Sequence, residues 1–333
     1  MLDVFKDDAF SLTSLTLAIN QLPYQPRRLG ALGLFSAEGI TTTTAVIEYQ
    51  QGNLALLPTV PRGGPATKAR AAKRNVKSFA VPHIPLEDTI LPEDVQNVRA
   101  FGSENVLEGV AAVVNNRLAA MRQSHEATLE YHRVGAIQGK VLDADGTTEL
   151  FDLFTLFGLT ETEAEFSLLD SSADILTECI AAKRSIEAAL GNTPYQRIHA
   201  LCGADFFDAF ISHPAVKTAY ARWQEGAFLR NDPRDGFEFG GILWEEYRGS
   251  VSGQSFIGSE VARFVPSGVD GLLIHRWAPA DFMETVNTVG LEVYAKQERL
   301  PLDRGILLHT QSNPLTICTR PKCLVKGVIG DAS

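Results

Sequence analysis

The chain contains no aspartate or glutamate from Tyr49 to Leu86, although its formal net charge is -10. β-Branched and apolar residues flank the centre of this segment, in TTTTAVIEYQQGNLALLPTV and VKSFAVPHIPLEDTI, and such runs predict extended strands. The centre, PRGGPATKARAAKRNVK, is rich in glycine, proline and basic residues. Two extended arms around such a tip predict a long hairpin with little core of its own. A basic projection on an otherwise acidic chain favours self-association.

The rest of the sequence predicts an α+β fold with helices and strands in mixed order. Residues 1–30 predict an arm with one helix rather than the start of a packed domain. The stretch from Pro92 to Val134 predicts an unusually long helix with a break near Gly102, and GAIQGKVLDADGTTELFDLFTLFG then predicts a hairpin. A capping pattern at residues 171–174 predicts a helix, RIHALCG a buried strand, ADFFDAFIS and PAVKTAYARWQEG two further helices, and strands dominate from Phe237 onward.

The composition is that of an ordinary globular protein, with 45% hydrophobic and 21% charged residues among 333. No apolar run approaches the length of a membrane span, and MLDVFKDDAF lacks the features of a signal peptide, so we expect a cytosolic protein without a membrane partner. The acidic balance argues against nucleic acid as the main partner. The four cysteines are scattered, which predicts buried core residues in a reducing compartment: Cys179, Cys202, Cys318 and Cys323.

Motifs for ligand binding are incomplete. GGPATKA lacks the second Gly-Lys-Ser of a phosphate loop, and Pro65 removes an amide donor. HEATL begins like a zinc-protease motif, but Leu129 stands where the second ligand belongs, so His125 and His132 are predicted to be solvated or interfacial helix residues. DADGTTE is too short for a calcium loop and predicts an Asp-Gly turn.

No catalytic, cofactor or metal site is predicted. Cys318, Cys323 and His309 lack the spacing of a metal cluster and fit a core strand better. In RGSVSGQSFIG, Val251 occupies the position of a nucleophilic serine. We therefore expect that the protein is not an enzyme. The alternative is a hydrolase whose catalytic residues come from distant positions in the sequence.

Five strings in order, from Arg27 to Val325, resemble the major capsid protein E family of tailed phages, the relatives of the lambda major head protein: RRLGALGLF, ITTTTAVIEYQQGNLALLPTVPRGGP, FAVPHIPLEDTILPEDVQNVRAFG, HRVGAIQGKVLDADGT and LHTQSNPLTICTRPKCLV. The resemblance implies the Hong Kong 97-type capsid fold. Its expected parts are an N-terminal arm (1–34), an extended E-loop (35–91), a peripheral P-domain with a long spine helix (92–160 and 300–333) and an axial A-domain (161–299).

The resemblance also implies a function. It predicts a structural capsid protein of a tailed double-stranded DNA phage or prophage, which forms the pentamers and hexamers of an icosahedral shell. The expected location is the virion, after assembly in the bacterial cytoplasm. The expected partners are other copies of the chain, a scaffolding protein, a portal, a decoration protein and packaged DNA bound without sequence specificity, and no cofactor is expected.

The E-loop tip is the predicted contact site. Its basic residues are expected to meet carboxylates of a neighbouring copy, in EDTILPED (87–94) or LDSSAD (169–174): Arg62, Lys68, Arg70, Lys73, Arg74 and Lys77. Gly63, Gly64 and Pro65 are expected to form the bend. No covalent crosslink is expected through a loop lysine. An encapsulin-like compartment shell and a DNA-binding protein that uses the basic loop are the alternatives.

Overall fold

The computed structural model describes residues 12–21, 28–50, 74–95, 110–191, 193–224, 232–251 and 254–330. The helices in these ranges are α1 (Leu12–Gln21), α2 (Arg28–Leu32), α3 (Pro92–Val95), α4 (Val110–Gln138), α5 (Leu153–Phe157), α6 (Ile175–Leu190), α7 (Ala204–Ser212) and α8 (Pro214–Gln224). Helices and strands alternate irregularly, which confirms the predicted α+β class.

The strands in the same ranges fall into several sheets. In chain order they are β1 (Ser36–Gly39), β2 (Thr44–Gln50), β3 (Arg74–Ala80), β4 (Ile84–Ile90), β5 (Lys140–Leu142), β6 (Glu149–Asp152), β7 (Thr162–Phe166), β8 (Arg197–Cys202), β9 (Phe237–Phe239), β10 (Ile242–Glu246), β11 (Ser250–Val251), β12 (Gln254–Ser255), β13 (Val261–Ser267), β14 (Leu273–Trp277), β15 (Tyr294–Arg299), β16 (Ile306–Ser312), β17 (Pro314–Cys318) and β18 (Val325–Ile329).

The main core surrounds a six-stranded sheet with the order β7-β18-β13-β8-β10-β9. Strand β18 is parallel to β7 and antiparallel to β13, and β10 is parallel to β8. Trp244 on β10 is fully buried and stacks on Phe210 of α7, with ring centroids 4.0 Å apart. The other five strands of this sheet lie within 161–299, so β18, in the predicted P-domain, contributes to the sheet of the predicted A-domain.

Local sequence explains helix α6. The helix is present as the sequence predicts, but its N-cap is Asp174 and not Ser171, the first residue of the predicted capping pattern. The side chain of Asp174 accepts a hydrogen bond from the Thr177 backbone amide at 3.3 Å, which caps the first turn. Gly191 ends the helix with a positive φ of 64°, a backbone conformation that favours glycine. The buried residues recur at helical spacing and face the main core: Ile175, Cys179, Ala182, Ile186 and Leu190.

Helix α4 is the longest described part of the long helix that the sequence predicts from Pro92, but it continues to Gln138, and the predicted break near Gly102 lies outside the described residues. The sequence assigned residues 135–158 to the following hairpin, and this is wrong at both ends, since 135–138 belong to α4 and Leu153–Phe157 form helix α5. Ala136 and Ile137 are buried helix residues, and Gly135 lets strand β5 approach closely, since a Cβ there would lie 2.9 Å from the Lys140 carbonyl oxygen. The hairpin β5–β6 turns at Asp145-Gly146 as predicted, with Gly146 at φ 70°.

A second core lies between α1, α4 and the sheet β15-β16-β4. Leu15 and Ile19 of α1 are buried there, and the Asn20 amide donates to the Val293 carbonyl at 2.8 Å. Helix α1 is therefore packed on the body, whereas the sequence predicted an arm outside the packed domains. Pro85 lies on β4, an edge strand of this sheet, which is where a sheet tolerates proline.

Candidate intersubunit surfaces

The hairpin β2–β3 is the described stem of the predicted E-loop. Its register pairs Ala45 with Phe79 and Val46 with Ser78, so alternate residues face opposite sides. On one side Ala45, Ile47 and Phe79 are buried, and the Phe79 ring meets Phe151 edge to face at 5.7 Å. On the other side Val46 and Val76 are 61% and 57% exposed. The stem thus has one face packed on its own chain and one solvent-exposed face, on which Val46 and Val76 stand beside polar residues such as Ser78.

Only two of the nine residues predicted to form the contact site at the E-loop tip, Arg74 and Lys77, lie within the described ranges. The other seven lie outside the described residues: Arg62, Gly63, Gly64, Pro65, Lys68, Arg70 and Lys73. Arg74 begins strand β3, where its backbone pairs with Gln50. The Lys77 ammonium donates to the Leu156 carbonyl of its own chain at 2.6 Å. Lys77 therefore has an acceptor on helix α5, and the intersubunit role of the whole set stays a prediction.

Carboxylates in the first predicted acidic patch, 87–94, have partners within the chain. The Arg117 guanidinium lies 3.4 Å from Asp88 and 3.6 Å from Asp94. Glu87 Oε1 is 3.0 Å from His309 Nδ1 on the neighbouring strand β16. Asp88 and Asp94 of this patch are thus paired with an arginine of their own chain.

The second predicted patch, 169–174, is held by hydroxyl and amide donors. The hydroxyl and backbone amide of Ser172 lower the pKa of the Asp170 carboxyl, and those of Thr177 do the same for Asp174. Leu169 beside them is exposed. Both carboxylates are therefore ionised at neutral pH.

A surface that the sequence did not predict is the 278–293 loop, residues 278–293 between β14 and β15. Met283, Val286, Val289 and Leu291 are 88%, 58%, 58% and 46% exposed. Apolar residues without helical or strand periodicity, in DFMETVNTVGLEV, were the available signal. Four large apolar side chains on one loop mark a candidate interaction surface.

Helix α4 carries buried histidines, which corrects the prediction that His125 and His132 are solvated or interfacial. Both are almost fully buried, because α4 contacts strands of three sheets, β4, β13 and β17. Burial, followed by the Arg122 charge and His309, lowers the pKa of His125 to about 4. Burial also lowers the pKa of His132 to about 4, against the opposing effect of Asp143.

The cysteines are core residues, as the sequence predicts. All four are buried and free. Burial raises the pKa of the Cys323 thiol to about 11. Across the part of the chain that the structure describes, no three His, Cys, Asp or Glu side chains come together in a group that could hold a metal ion. No described helix is both long and apolar enough to cross a bilayer.

Sequence comparison identifies the family. The family model described as phage major capsid protein E matches residues 11–329. The chain is 31% identical over 342 residues to the major capsid protein of Pseudomonas phage KPP10, with 96% of each chain covered. It is 27% identical to the major capsid protein of Salmonella phage Felix O1, with 98% of each covered.

Comparison of structures agrees. A protein assigned as a prophage capsid protein from Escherichia coli CFT073 has a TM-score of 0.58 at 12% identity, over 96% of this chain and 99% of that one. The capsid of the empty GTA particle has a TM-score of 0.52 at 10% identity, over 93% of each chain. At these identities the likeness shows the fold alone, and it is the predicted Hong Kong 97-type capsid fold. The chain therefore belongs to the phage major capsid protein E family.

Proposed function

We propose that copies of this chain form the pentamers and hexamers of an icosahedral shell around the double-stranded DNA of a tailed phage or prophage. The hairpin β2–β3 carries the proposal, because one of its faces is packed and the other exposes Val46 and Val76. Exposed valines on a strand face are stabilised when a second copy of the chain covers them. Both curated relatives are phage proteins, which favours a phage shell over an encapsulin-like compartment.

The proposed division of the chain follows the capsid fold. Residues 1–34 are the arm, 35–91 the E-loop, 92–160 with 300–333 the P-domain, and 161–299 the A-domain. Helix α4 is the proposed spine helix. The six-stranded sheet, with five of its strands inside 161–299, supports a separate A-domain. Strand β18 is the exception, since the end of the chain returns to this sheet.

The proposed contact is electrostatic as well as apolar. Arg62, Lys68, Arg70, Lys73 and Arg74 meet carboxylates of a neighbouring copy, while Lys77 contributes through the stem that it ties to α5. Such exposed pairs steer association and fix register more than they add affinity. Each copy contacts one neighbour through its hairpin and the other neighbour through a different surface. Such contacts are head-to-tail, and they close into rings. No covalent crosslink is part of the proposal.

Shell assembly takes place in the bacterial cytoplasm, and the finished shell is part of the virion. The proposed further partners are a scaffolding protein, a portal and a decoration protein. Packaged DNA is enclosed without sequence-specific binding, since the acidic chain offers little to attract phosphates.

The experiment that tests the proposed function is size-exclusion chromatography with negative-stain electron microscopy, on the chain alone and with its scaffold. We expect rings or closed shells of megadalton size. A stable monomer under both conditions, with DNA binding or hydrolysis in place of assembly, would overturn it.

A further inference from the structure

The 278–293 loop has a fixed backbone. The buried Thr285 hydroxyl donates to the Ala280 carbonyl at 2.7 Å, and the Thr288 hydroxyl donates to the Thr285 carbonyl at 2.8 Å. The Leu291 amide donates to the Tyr294 hydroxyl at 3.0 Å. The four exposed apolar side chains are thus held outward by a structured loop. A preorganised apolar surface loses little conformational entropy when it binds a partner.

The loop also lies at the base of its own hairpin. The Gly290 amide donates to the Ile40 carbonyl at 2.9 Å. Gly39 approaches so closely that a Cβ there would lie 2.6 Å from Val289 Cγ1. The surface therefore lies beside the first residues of the E-loop of its own chain.

The charge of the loop complements the hairpin tip. Residues 278–295 contain Asp281, Glu284 and Glu292 and no lysine or arginine. Glu284 pairs with Lys296 and Glu292 with Arg122, each at 2.8 Å. Asp281 accepts from the Gln311 amide at 2.7 Å and lies 3.8 Å from His83, so it is the most available carboxylate.

Residues 51–73, between β2 and β3, have the opposite character. This segment contains no acidic residue, four basic residues in Arg62, Lys68, Arg70 and Lys73, and the apolar residues Leu54, Leu56, Leu57 and Val60. It thus offers apolar side chains for the exposed loop residues and positive charge for Asp281. Patch 169–174 and the residues next to it offer only two exposed leucines, Leu169 and Leu176, and patch 87–94 has two carboxylates that Arg117 already pairs.

We propose that the 278–293 loop of one copy binds residues 51–73 of a second copy. The inference rests on the proposed shell function, and it names the surface that receives the E-loop. Met283, Val286, Val289 and Leu291 supply the apolar contact, and Asp281 supplies the charge. Because each copy both gives a hairpin and receives one, the contact repeats around a ring.

Single cysteine variants test the proposal, since all four native cysteines are buried. Val286→Cys chains are co-assembled with chains carrying Thr59→Cys, Ala66→Cys or Ala71→Cys, and the shells are treated with a short bismaleimide. We expect a crosslinked dimer on a denaturing gel in at least one mixture, and none from either variant alone. Matched controls place the acceptor cysteine at exposed positions of the rival patches, Leu169→Cys and Glu93→Cys. We expect at least ten-fold less dimer from these.

Two results would overturn the inference. One is a dimer from Leu169→Cys or Glu93→Cys mixtures without one from Val286→Cys. The other is ready labelling of Val286→Cys by a bulky maleimide in intact shells. Such labelling would show that the loop is not covered by a second copy and is accessible to another partner, such as a decoration protein. A link within one chain, seen when a double variant is diluted into unmodified copies, also contradicts it. Closed shells that lack the Val286→Cys link overturn this inference alone, whereas failure of the unmodified chain to form shells overturns the proposed function.

Discussion

His125 on helix α4 and Thr310 on strand β16 meet inside the protein, with His125 Nε2 3.0 Å from Thr310 Oγ1. Both residues are almost completely buried. Two turns further along the same helix face, His132 is buried with its Nε2 unpartnered, and His275 on β14 is likewise buried. Helix α4 thus packs against the sheets with buried histidines between them, and these imidazoles are neutral in the folded state at neutral pH.

Acid should therefore destabilise the folded subunit through these histidines. Burial holds the pKa of His125 and of His132 at about 4, below the ordinary value of 6.5, and it also lowers the pKa of His275 well below that value. A histidine with a lowered pKa binds its proton more readily in the unfolded chain, so its stabilising effect is complete above pH 6.5 and is lost as the pH falls towards 4. His125 and His132 each cost up to about 3 kcal/mol at the acid end. Thermal melting between pH 7.5 and 4 measures this loss.

Two variants separate this effect from general acid unfolding. His132→Leu removes a buried titrating group whose Nε2 has no partner, so its melting temperature should fall less steeply with pH. Leu302→Asn changes an exposed residue that does not titrate and should keep the original profile. Equal pH profiles for all three proteins would show that the buried imidazoles do not determine acid stability.

Glu130 joins three parts of the chain. Its buried carboxylate accepts from the Leu29 amide at 2.7 Å, the Gly30 amide at 3.2 Å and the Tyr247 hydroxyl at 3.2 Å. Glu130→Ala should lower the free energy of unfolding by about 3 kcal/mol or more, because several buried donors lose their acceptor. Glu130→Gln keeps one acceptor oxygen and should lose less. Urea unfolding checks both, and a loss below 1 kcal/mol for Glu130→Ala would contradict this role.

Local features of the fold could be predicted from the sequence. Helix α6 and the turn at Asp145-Gly146 depend on neighbouring residues, so their patterns are visible in short strings. Strand pairings between residues far apart in the chain could not be predicted from the sequence. Strand β18 joins the six-stranded sheet through register with β7 and β13, which no local pattern encodes.

The main error at the candidate sites was the prediction that polar residues are exposed when they are buried. His125 and His132 are polar residues on a helix, and such residues are usually solvated, but packing on several sides of α4 buries this polar face as well. The 278–293 loop was missed for the opposite reason, because Met283 and Val286 would ordinarily be placed in a core. The resemblance to a family supplied the fold, while side-chain exposure required the structure.

Removal of the hairpin tip should block assembly without unfolding the subunit. Deletion of residues 62–74 takes away five basic residues, Arg62, Lys68, Arg70, Lys73 and Arg74, and leaves the buried stem residues Ala45, Ile47 and Phe79 in place. We expect soluble subunits that melt within a few degrees of the full chain and form no closed shells in electron micrographs. Normal shells from the deletion variant would contradict a role of the tip in assembly.

Salt should weaken assembly more than folding, because the proposed tip contacts are exposed charge pairs and the cores are apolar. The screening length falls from about 10 Å at 0.1 M salt to about 3 Å at 1 M. We expect the yield of shells, measured by sedimentation, to fall several-fold over this range while the melting temperature of the subunit changes little. A variant with Arg62→Gln, Lys68→Gln, Arg70→Gln and Lys73→Gln should assemble poorly at low salt and show little further dependence on it. If shell assembly by that variant keeps the full salt dependence, the charges that make assembly depend on salt lie elsewhere, and the basic tip does not supply the electrostatic part of the contact.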